Sequence, residues 1–168
     1  MKIFVTTGTS SFPFKRLIKE VLEIAKDKYF INDSFLIQGT KDKEKNGNIQ
    51  KIPSLSYKEM KSWFRKADIV ITHGGLASIF LSWQLNKKAP IVVPRLKIFK
   101  EHVNDHQLLF TSSLAKKNKI IIVKKIDDLK KAIINYKKLH LKSNYSLENK
   151  KEQKKLIKNL ITYTEDLK

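Results

Sequence analysis

Short apolar runs alternate with helix-periodic segments along most of this chain. The predicted strands are residues 2–7, 34–38, 49–52, 68–72, 90–93 and 119–123. The predicted helices are residues 14–26, 56–66, 75–86, 104–116 and 127–138, and a charged loop is predicted at 39–47. Strands that alternate with helices are typical of a parallel sheet whose two faces are both covered by helices. The sequence therefore predicts an α/β fold.

Two of these helices have predicted N-caps. Ser56 and Glu59 have the spacing of a capping box, in which each side chain bonds the backbone N–H of the other residue. Asp127 is expected to cap the helix at 127–138.

The last 30 residues differ from the rest of the chain. Residues 139–168 are rich in lysine, and their apolar residues have roughly the spacing of one helix face. These residues are Leu147, Leu156, Ile157, Leu160 and Ile161. The segment is interpreted either as a helix packed back on the domain or as a basic amphipathic helix that touches an anionic membrane or a partner. We therefore divide the chain into a domain at 1–138 and a basic helical tail at 139–168.

The chain carries a large excess of positive charge. It has 35 Lys and Arg against 16 Asp and Glu, which gives a formal net charge of +19. Such a field attracts nucleic acid, an anionic lipid surface, a phosphate-bearing substrate or a partner of opposite charge. A Lys-rich composition can also reflect an AT-rich genome, so charge alone does not choose among these.

Composition excludes several classes of protein. The hydrophobic fraction of 41% fits a globular domain and excludes general disorder. The absence of cysteine excludes disulfides and thiolate metal sites and fits a reducing cytosol. The sequence contains no run of eighteen apolar residues, so no membrane-spanning helix is predicted. The apolar stretch at the first residues is too short for the core of a signal peptide.

The predicted strand at 68–72 ends abruptly in His73-Gly74-Gly75, directly before a predicted helix. Backbone N–H groups at a helix start, with the positive end of the helix dipole behind them, suit a phosphate. His73 is interpreted either as a donor to a phosphate or ribose or as a side chain that bonds only locally. Neither a Walker loop nor a GxGxxG fingerprint is present, which disfavours nucleotide hydrolysis and dinucleotide binding.

Two further loops are expected beside this one. Ligands of open α/β sheets bind beyond the carboxyl ends of the strands. Gly8-Thr9-Ser10-Ser11 follows the first strand and Pro94-Arg95 follows the strand at 90–93. We expect these two loops and His73-Gly74-Gly75 to converge on one ligand.

A polar segment follows Arg95. It contains His102, Asn104, Asp105, His106 and Gln107. The two histidines are four residues apart, which also suits a metal, but the glutamate of an HExxH motif is missing. The alternating donors and acceptors are better suited to hydroxyl groups, and no metal is expected.

Three segments together resemble a known family. HGGLASIF (73–80), IVVPRLKIFKEHVNDHQ (91–107) and VTTGTSSFPFKRLI (5–18) are similar to the carboxyl-terminal domain of family 28 glycosyltransferases. Within it, they look like the bacterial capsule and exopolysaccharide subunits related to the catalytic half of the dolichol-linked N-acetylglucosaminyltransferase. The resemblance covers residues 1 to about 125 and does not include the basic tail.

The resemblance implies the Rossmann-like, carboxyl-terminal half of a GT-B fold that binds a UDP-sugar. A separate membrane-anchored subunit would supply the other half and a lipid-linked, polyprenyl diphosphate glycan as acceptor. By the same resemblance, the loops at 8–11 and 73–75 face the diphosphate, and Asp105, His106 and Gln107 lie by the sugar and ribose. The remaining expected substrate-binding residues are Ser78, Arg95, His102 and Asn104. Relatives that hold ribose with a glutamate after the glycine loop differ from this chain, which has Leu81 there.

A mechanism follows from the charge that develops as the glycosidic bond breaks. Backbone N–H groups, with His73 or Arg95, would stabilise negative charge on the β-phosphate without a metal ion or other cofactor. The acceptor hydroxyl needs a general base. The candidates are His73, Glu101, Asp105 and His102, unless the partner supplies the base, and the family implies inversion at the anomeric carbon.

We therefore expect a hexosyltransferase subunit that adds a hexose, with galactose favoured, to a lipid-linked glycan for a surface polysaccharide. It would be cytoplasmic and recruited to the inner face of the plasma membrane. One alternative is a non-catalytic companion of such a transferase. A nucleic-acid-binding module is disfavoured, because the sequence has no recognition motif.

Overall fold

The computed structural model describes residues 1–86 and 88–143. Its strands are β1 (Lys2–Thr6), β2 (Ser34–Gln38), β3 (Glu44–Asn46), β4 (Ile49–Ile52), β5 (Ile69–His73), β6 (Ile91–Val93) and β7 (Ile121–Ile122). Its α-helices are α1 (Lys15–Lys26), α2 (Tyr57–Lys66), α3 (Leu76–Leu81), α4 (His106–Lys116), α5 (Leu129–Ile134) and α6 (Tyr136–Leu141). Short 3-10 turns lie at Lys28–Phe30, Lys97–Phe99 and Ile126–Asp128.

The strands form one sheet in the order β3-β4-β2-β1-β5-β6-β7. Every neighbouring pair is parallel except β3 and β4. The central strand β1 shows why helices cover both faces. Ile3 and Val5 pack in the core cluster that includes α1 residues, whereas Phe4 packs with Phe64 of α2. The α/β prediction is confirmed.

The start of α2 also agrees with the sequence. The Ser56 hydroxyl accepts a hydrogen bond from the Glu59 N–H, and the Glu59 carboxylate accepts one from the Ser56 N–H at 2.9 Å. These bonds satisfy two backbone donors that a helix start otherwise leaves unpaired. The predicted capping box is confirmed.

The predicted charged loop at 39–47 is partly wrong. Residues 44–46 form β3, which pairs antiparallel with β4, and Lys51 forms an ion pair with Glu44. The two strands are joined by Gly47 and Asn48, and Gly47 has a φ of 54°. Gly47-Asn48 is the short-range signal for such a hairpin, because glycine at the first position of a two-residue turn readily adopts the positive φ that this position needs.

The predicted helix at 75–86 has two parts. Gly75 is the N-cap of α3, and the chain continues from α3 into a π-helical segment, Ser82–Asn86. The buried Asn86 amide donates to the backbone oxygens of Phe64 (2.8 Å) and Ala67 (2.7 Å). These bonds fix the end of α2 to the wide helical turn.

Three other boundaries differ from the prediction. Helix α4 begins at His106 rather than Asn104, and β7 contains only two residues. The predicted helix at 127–138 is a 3-10 turn followed by α5 and α6, with a break at Asn135 and no side-chain cap from Asp127 or Asp128. At this break the Asn135 side-chain amide donates to the Lys131 carbonyl at 2.9 Å, and the Asn135 backbone N–H donates to the same oxygen at 3.0 Å.

The first residues of the predicted tail continue the domain. Helix α6 runs to Leu141, and Leu139 packs against the main core cluster. The remaining tail residues, 144–168, lie outside the described residues. Within the described part of the chain, no helix is both long and apolar enough to cross a membrane.

Candidate donor-binding edge

The three loops that were expected to converge on one ligand lie beside one another. The loop after β1, the loop after β5 and the loop after β6 all lie at the carboxyl edge of the sheet. The Arg95 guanidinium joins the first and third loops, because it donates to the backbone oxygens of Thr7 (2.8 Å) and Phe12 (2.7 Å). Segments separated by more than 80 residues in sequence are therefore joined at this edge.

The His73 imidazole lies between two glycines. A Cβ on Gly8 would lie 2.5 Å from His73 Cε1, and a Cβ on Gly75 would lie 2.1 Å from His73 Nε2. Gly8 also has a φ of 76°, which L residues rarely adopt. Both glycines are therefore required sterically, and they leave room for the ring directly at the start of α3.

This position changes the protonation of His73. Burial, together with a smaller effect of the positive charge of Arg95, lowers its pKa from 6.5 to about 4. A hydrogen bond with the Thr6 backbone opposes the change, and His102 adds a smaller lowering effect. The ring is therefore neutral at pH 7, so that one of its nitrogens donates and the other accepts.

Gln107 joins the glycine loop to the loop after β6. Its Oε1 accepts hydrogen bonds from the backbone N–H groups of Gly74 and Arg95, both at 3.1 Å. A Cβ on Gly74 would lie 2.8 Å from the Gln107 Cβ, so this glycine is needed for the close approach. Gln107, expected from the resemblance to lie by the sugar and ribose, uses its amide oxygen to hold these loops together.

Arg95 and Glu101 are not presented to a ligand. Arg95 is only 1% exposed, and its third hydrogen bond goes to the Glu101 carbonyl at 3.1 Å. The Glu101 carboxylate is 2% exposed and accepts from Arg16 Nε (3.0 Å), Arg16 Nη2 (2.8 Å) and the Leu96 N–H (3.1 Å). This differs from the phosphate contact expected for Arg95 and the proton transfer expected for Glu101, because these groups are already engaged by the protein.

The other expected site residues have varied surroundings. Thr9, Ser10, Ser11 and Asp105 are exposed, whereas Ser78, His102, Asn104 and His106 are half-buried. Asp105 accepts from the Lys97 N–H at 2.8 Å, and the Asn104 amide oxygen accepts from the His106 N–H at 3.3 Å. Among the expected site residues, the exposed hydroxyls and the Asp105 carboxylate are therefore the accessible polar groups.

Leu81 serves the core. It is half-buried and packs against the cluster that contains Phe4, Phe64 and Val70. The chain therefore places an apolar contact where relatives were expected to hold ribose.

Sequence reasoning missed Gln38 and the loops after β2 and β4. A cleft of about 440 Å³ is lined by residues 7–14, 38–41 and 53–54. Gln38 is 3% exposed, and its amide donates to the backbone oxygens of Gly8 and Pro53, both at 3.3 Å. The rule that ligands bind at the carboxyl ends of strands applies equally to β2 and β4 and would have found this cleft.

No three His, Asp or Glu side chains come together as a metal site among residues 1–86 and 88–143. The site at the carboxyl edge of the sheet is a shallow polar surface. It has backbone donors at the start of α3, the neutral His73 imidazole and several exposed hydroxyls.

The fold is an α/β domain with a polar edge at the carboxyl ends of its strands, and its sequence places it in the glycosyltransferase class. The chain belongs to the family described as the glycosyltransferase family 28 C-terminal domain, whose profile matches residues 2–162. This match corrects the expected limit near residue 125, since it includes most of the basic tail.

The fold is also that of a solved glycosyltransferase. The chain is similar to the structure titled "Crystal Structure Analysis of the Glycotransferase of kitacinnamycin", with a TM-score of 0.59 and 15% identity. The likeness covers 80% of this chain but only 34% of that one, so this chain corresponds to about a third of that protein. The carboxyl-terminal half of a GT-B fold is thereby confirmed. No curated protein matches the chain.

Proposed function

We propose that this chain is the donor-binding subunit of an inverting hexosyltransferase that uses a UDP-sugar. In this proposal the diphosphate lies against the start of α3 and the loop after β1, and the uridine extends into the neighbouring cleft. The observation that carries the proposal is the His73 ring held between Gly8 and Gly75 in a family 28 domain.

The chemistry of this edge supports diphosphate binding. Backbone N–H groups at a helix start favour an anion. The neutral His73 ring has a single N–H, which in this proposal donates to the diphosphate in place of the Thr6 backbone oxygen. As the anomeric C–O bond breaks, its electron pair remains on the β-phosphate oxygen, where these donors stabilise the charge. Exposed hydroxyls of Thr9, Ser10 and Ser11 are further donors at the same loop. No metal or cofactor enters the proposed step.

The general base needs a group that can reach the acceptor hydroxyl. His73 is a weak base because its pKa is about 4, and Glu101 is held by Arg16 and Leu96. The proposal therefore assigns the role of general base, which accepts the proton of the acceptor hydroxyl, to the exposed Asp105 or to a residue of the partner. Arg95 and Glu101 then act as positioning residues for the loops.

The proposal retains a partner. The loops at the carboxyl edge form one open surface, and the chain spans 34% of the solved glycosyltransferase to which it is similar. A membrane-anchored subunit would close the cleft and present a lipid-linked glycan, and the product would belong to a capsule or exopolysaccharide. Galactose is the favoured sugar. Recruitment by that subunit would bring the chain to the inner face of the plasma membrane.

The donor site is tested by titrating UDP into the purified chain by calorimetry. We expect His73→Ala to weaken UDP binding at least about tenfold, because one lost hydrogen bond to a charged group is worth roughly 1.5–3 kcal/mol. Gly47→Ala is the control, since Gly47 lies before β4 at the amino end of the sheet and its Cβ would meet no atom within 4 Å. Its φ of 54° means that this variant should lose some stability but no UDP affinity. Circular dichroism must show that both variants are folded. Unchanged UDP affinity in His73→Ala would remove the basis of the proposal.

The subunit arrangement is tested separately. The chain is assayed alone and co-expressed with a candidate partner, using labelled UDP-galactose, UDP-glucose, UDP-glucuronic acid and UDP-N-acetylglucosamine with lipid-linked glucose. We expect UDP binding by the chain alone but transfer only with the partner. Full transfer by the isolated chain would refute the split enzyme, and UDP binding without transfer by any pair would favour a non-catalytic companion.

A further inference from the structure

The loop after β6 has an exposed apolar tip with a lysine on each side. This tip, the KIFK turn, consists of Lys97, Ile98, Phe99 and Lys100. Ile98 is 81% exposed and Phe99 is 53% exposed, and both lysines are exposed. A branched aliphatic and an aromatic side chain at the tip of a turn have no role in the core of this domain.

Hydrogen bonds and an arginine contact fix the KIFK turn to the rest of the domain. The Lys97 N–H donates to the Asp105 carboxylate at 2.8 Å, and the Lys100 N–H donates to the Lys97 carbonyl at 2.8 Å. Lys100 has a φ of 56°, which ends the 3-10 turn sharply. The Arg16 guanidinium, itself paired with Glu101, lies 4.9 Å from the centre of the Phe99 ring. The apolar tip is therefore presented in a fixed conformation.

The surroundings extend the apolar surface along the same edge of the sheet. Val103 of the same loop is 60% exposed, and Phe12 of the loop after β1 is 38% exposed. The Phe12 ring lies 6.4 Å from the His102 ring, so the two loops adjoin. Clustered exposed apolar side chains at loop tips mark an interaction surface.

We propose that the KIFK turn docks on an anionic lipid bilayer, with Ile98 and Phe99 inserted and Lys97 and Lys100 at the headgroups. Lysines on both sides of an apolar tip complement such a surface, since each basic side chain near anionic lipid adds attraction and each buried apolar group adds more. The net charge of +19 gives the whole chain the same preference. Of the nearest acidic side chains, Glu101 is buried and pairs with Arg16. Asp105 is exposed and keeps its charge, but the two lysines of the turn outnumber it.

This docking rests on the proposed function, which requires a lipid-linked acceptor. Docking through the KIFK turn would face the proposed UDP-sugar site towards the bilayer that holds this acceptor. The docking itself does not depend on the donor site. Vesicle binding needs no UDP-sugar and no partner, so failure of one proposal is distinguishable from failure of the other.

The chain offers a matched control at the opposite edge. Tyr29 is 63% exposed and Ile31 is 61% exposed, and they lie before β2, at the amino end of the sheet. A second control pair matches the two lysines of the KIFK turn. Lys116 and Lys117 are exposed at the far end of α4 and carry the same charge as Lys97 and Lys100.

The test is co-sedimentation of the full chain with phosphatidylcholine vesicles that contain 0% or about 30% phosphatidylglycerol, at low and physiological salt. We expect the double variant Ile98→Ser/Phe99→Ser to bind anionic vesicles roughly tenfold or more weakly than the unchanged chain. We expect Lys97→Gln/Lys100→Gln to lose a similar factor, mainly at low salt. Tyr29→Ser/Ile31→Ser and Lys116→Gln/Lys117→Gln should retain binding, and the serine variants should bind UDP normally.

Three results would overturn the docking proposal. One is unchanged vesicle binding in the KIFK variants, which would leave any binding to the tail or to net charge. Another is an equal loss in the control variants. The third is that the KIFK variants bind vesicles normally but no longer bind a partner subunit, which would make the turn a protein interface.

Discussion

Because His73 is neutral in the folded chain, the free energy of unfolding of this domain should fall as the pH drops below 6.5. Its pKa is about 4 in the folded chain, against 6.5 as the ordinary value. The unfolded chain therefore binds a proton between these values while the folded chain does not. Stability from this group is fully present above pH 6.5 and is lost as the pH falls towards 4.

The magnitude follows from the two pKa values. Each pH unit between them is worth about 1.4 kcal/mol, which gives an upper limit of roughly 3 kcal/mol. Between pH 7 and pH 4.5 the free energy of unfolding should fall by about 2.5 kcal/mol from His73 alone. Burial also lowers the pKa of His140, so part of the total loss in the same direction belongs to that residue.

The assay is urea denaturation at several pH values between 7 and 4.5, without ligand. The variant His73→Asn keeps a hydrogen-bonding side chain but cannot titrate, so its unfolding free energy should fall about 2.5 kcal/mol less than that of the unchanged chain. His106→Asn, which removes a half-buried histidine at the same edge, is the control. If His73→Asn and the unchanged chain lose stability in parallel over this range, His73 is not the neutral buried group described above.

Three further predictions concern the same framework. Gly75→Ala should weaken UDP binding at least about tenfold, because its Cβ would displace the His73 ring. The backbone of Gly75 is ordinary, with φ −75°, so the effect is steric, and calorimetry should show no such loss for Gly47→Ala. Arg95→Leu should lower the free energy of unfolding by about 3–5 kcal/mol, because three backbone carbonyls lose a buried donor. Ser56→Ala should cost about 1 kcal/mol, measured by denaturation, through the lost N-cap of α2.

Each of these has a contradictory outcome. Wild-type affinity in Gly75→Ala would show that the ring moves freely. A loss below about 1 kcal/mol in Arg95→Leu would show that water replaces the guanidinium. A loss in Ser56→Ala as large as that expected for Arg95→Leu would mean that the capping box supports more than the helix start.

The sequence predicted those parts of the fold that depend on neighbours along the chain. The apolar run before His73 became β5, and the Ser56–Glu59 spacing became a capping box, because both are local patterns. The position of the glycine loop at the carboxyl edge followed from strand direction alone. The hairpin at residues 44–52 was also locally encoded, by the turn residues Gly47-Asn48, but its charged strand hid the signal.

Other features depend on contacts between distant residues. Arg95 looks like an anion ligand in sequence, yet its partners at residues 7 and 12 lie more than 80 residues away. The burial that removes it from the edge cannot be read from its neighbours. Likewise, Gln38 becomes a junction only because β1, β2 and β4 end at one level of the sheet.

The two glutamines of the edge, buried Gln38 and half-buried Gln107, have a thermodynamic consequence. Gln38 ties together the loops after β1, β2 and β4, while Gln107 ties together those after β5 and β6. Five loops that would otherwise be ordered by a ligand are thus ordered when the chain folds. The ligand then meets a surface with little conformational entropy left to lose, so the expense of assembling the site falls on the folding equilibrium instead of the binding equilibrium.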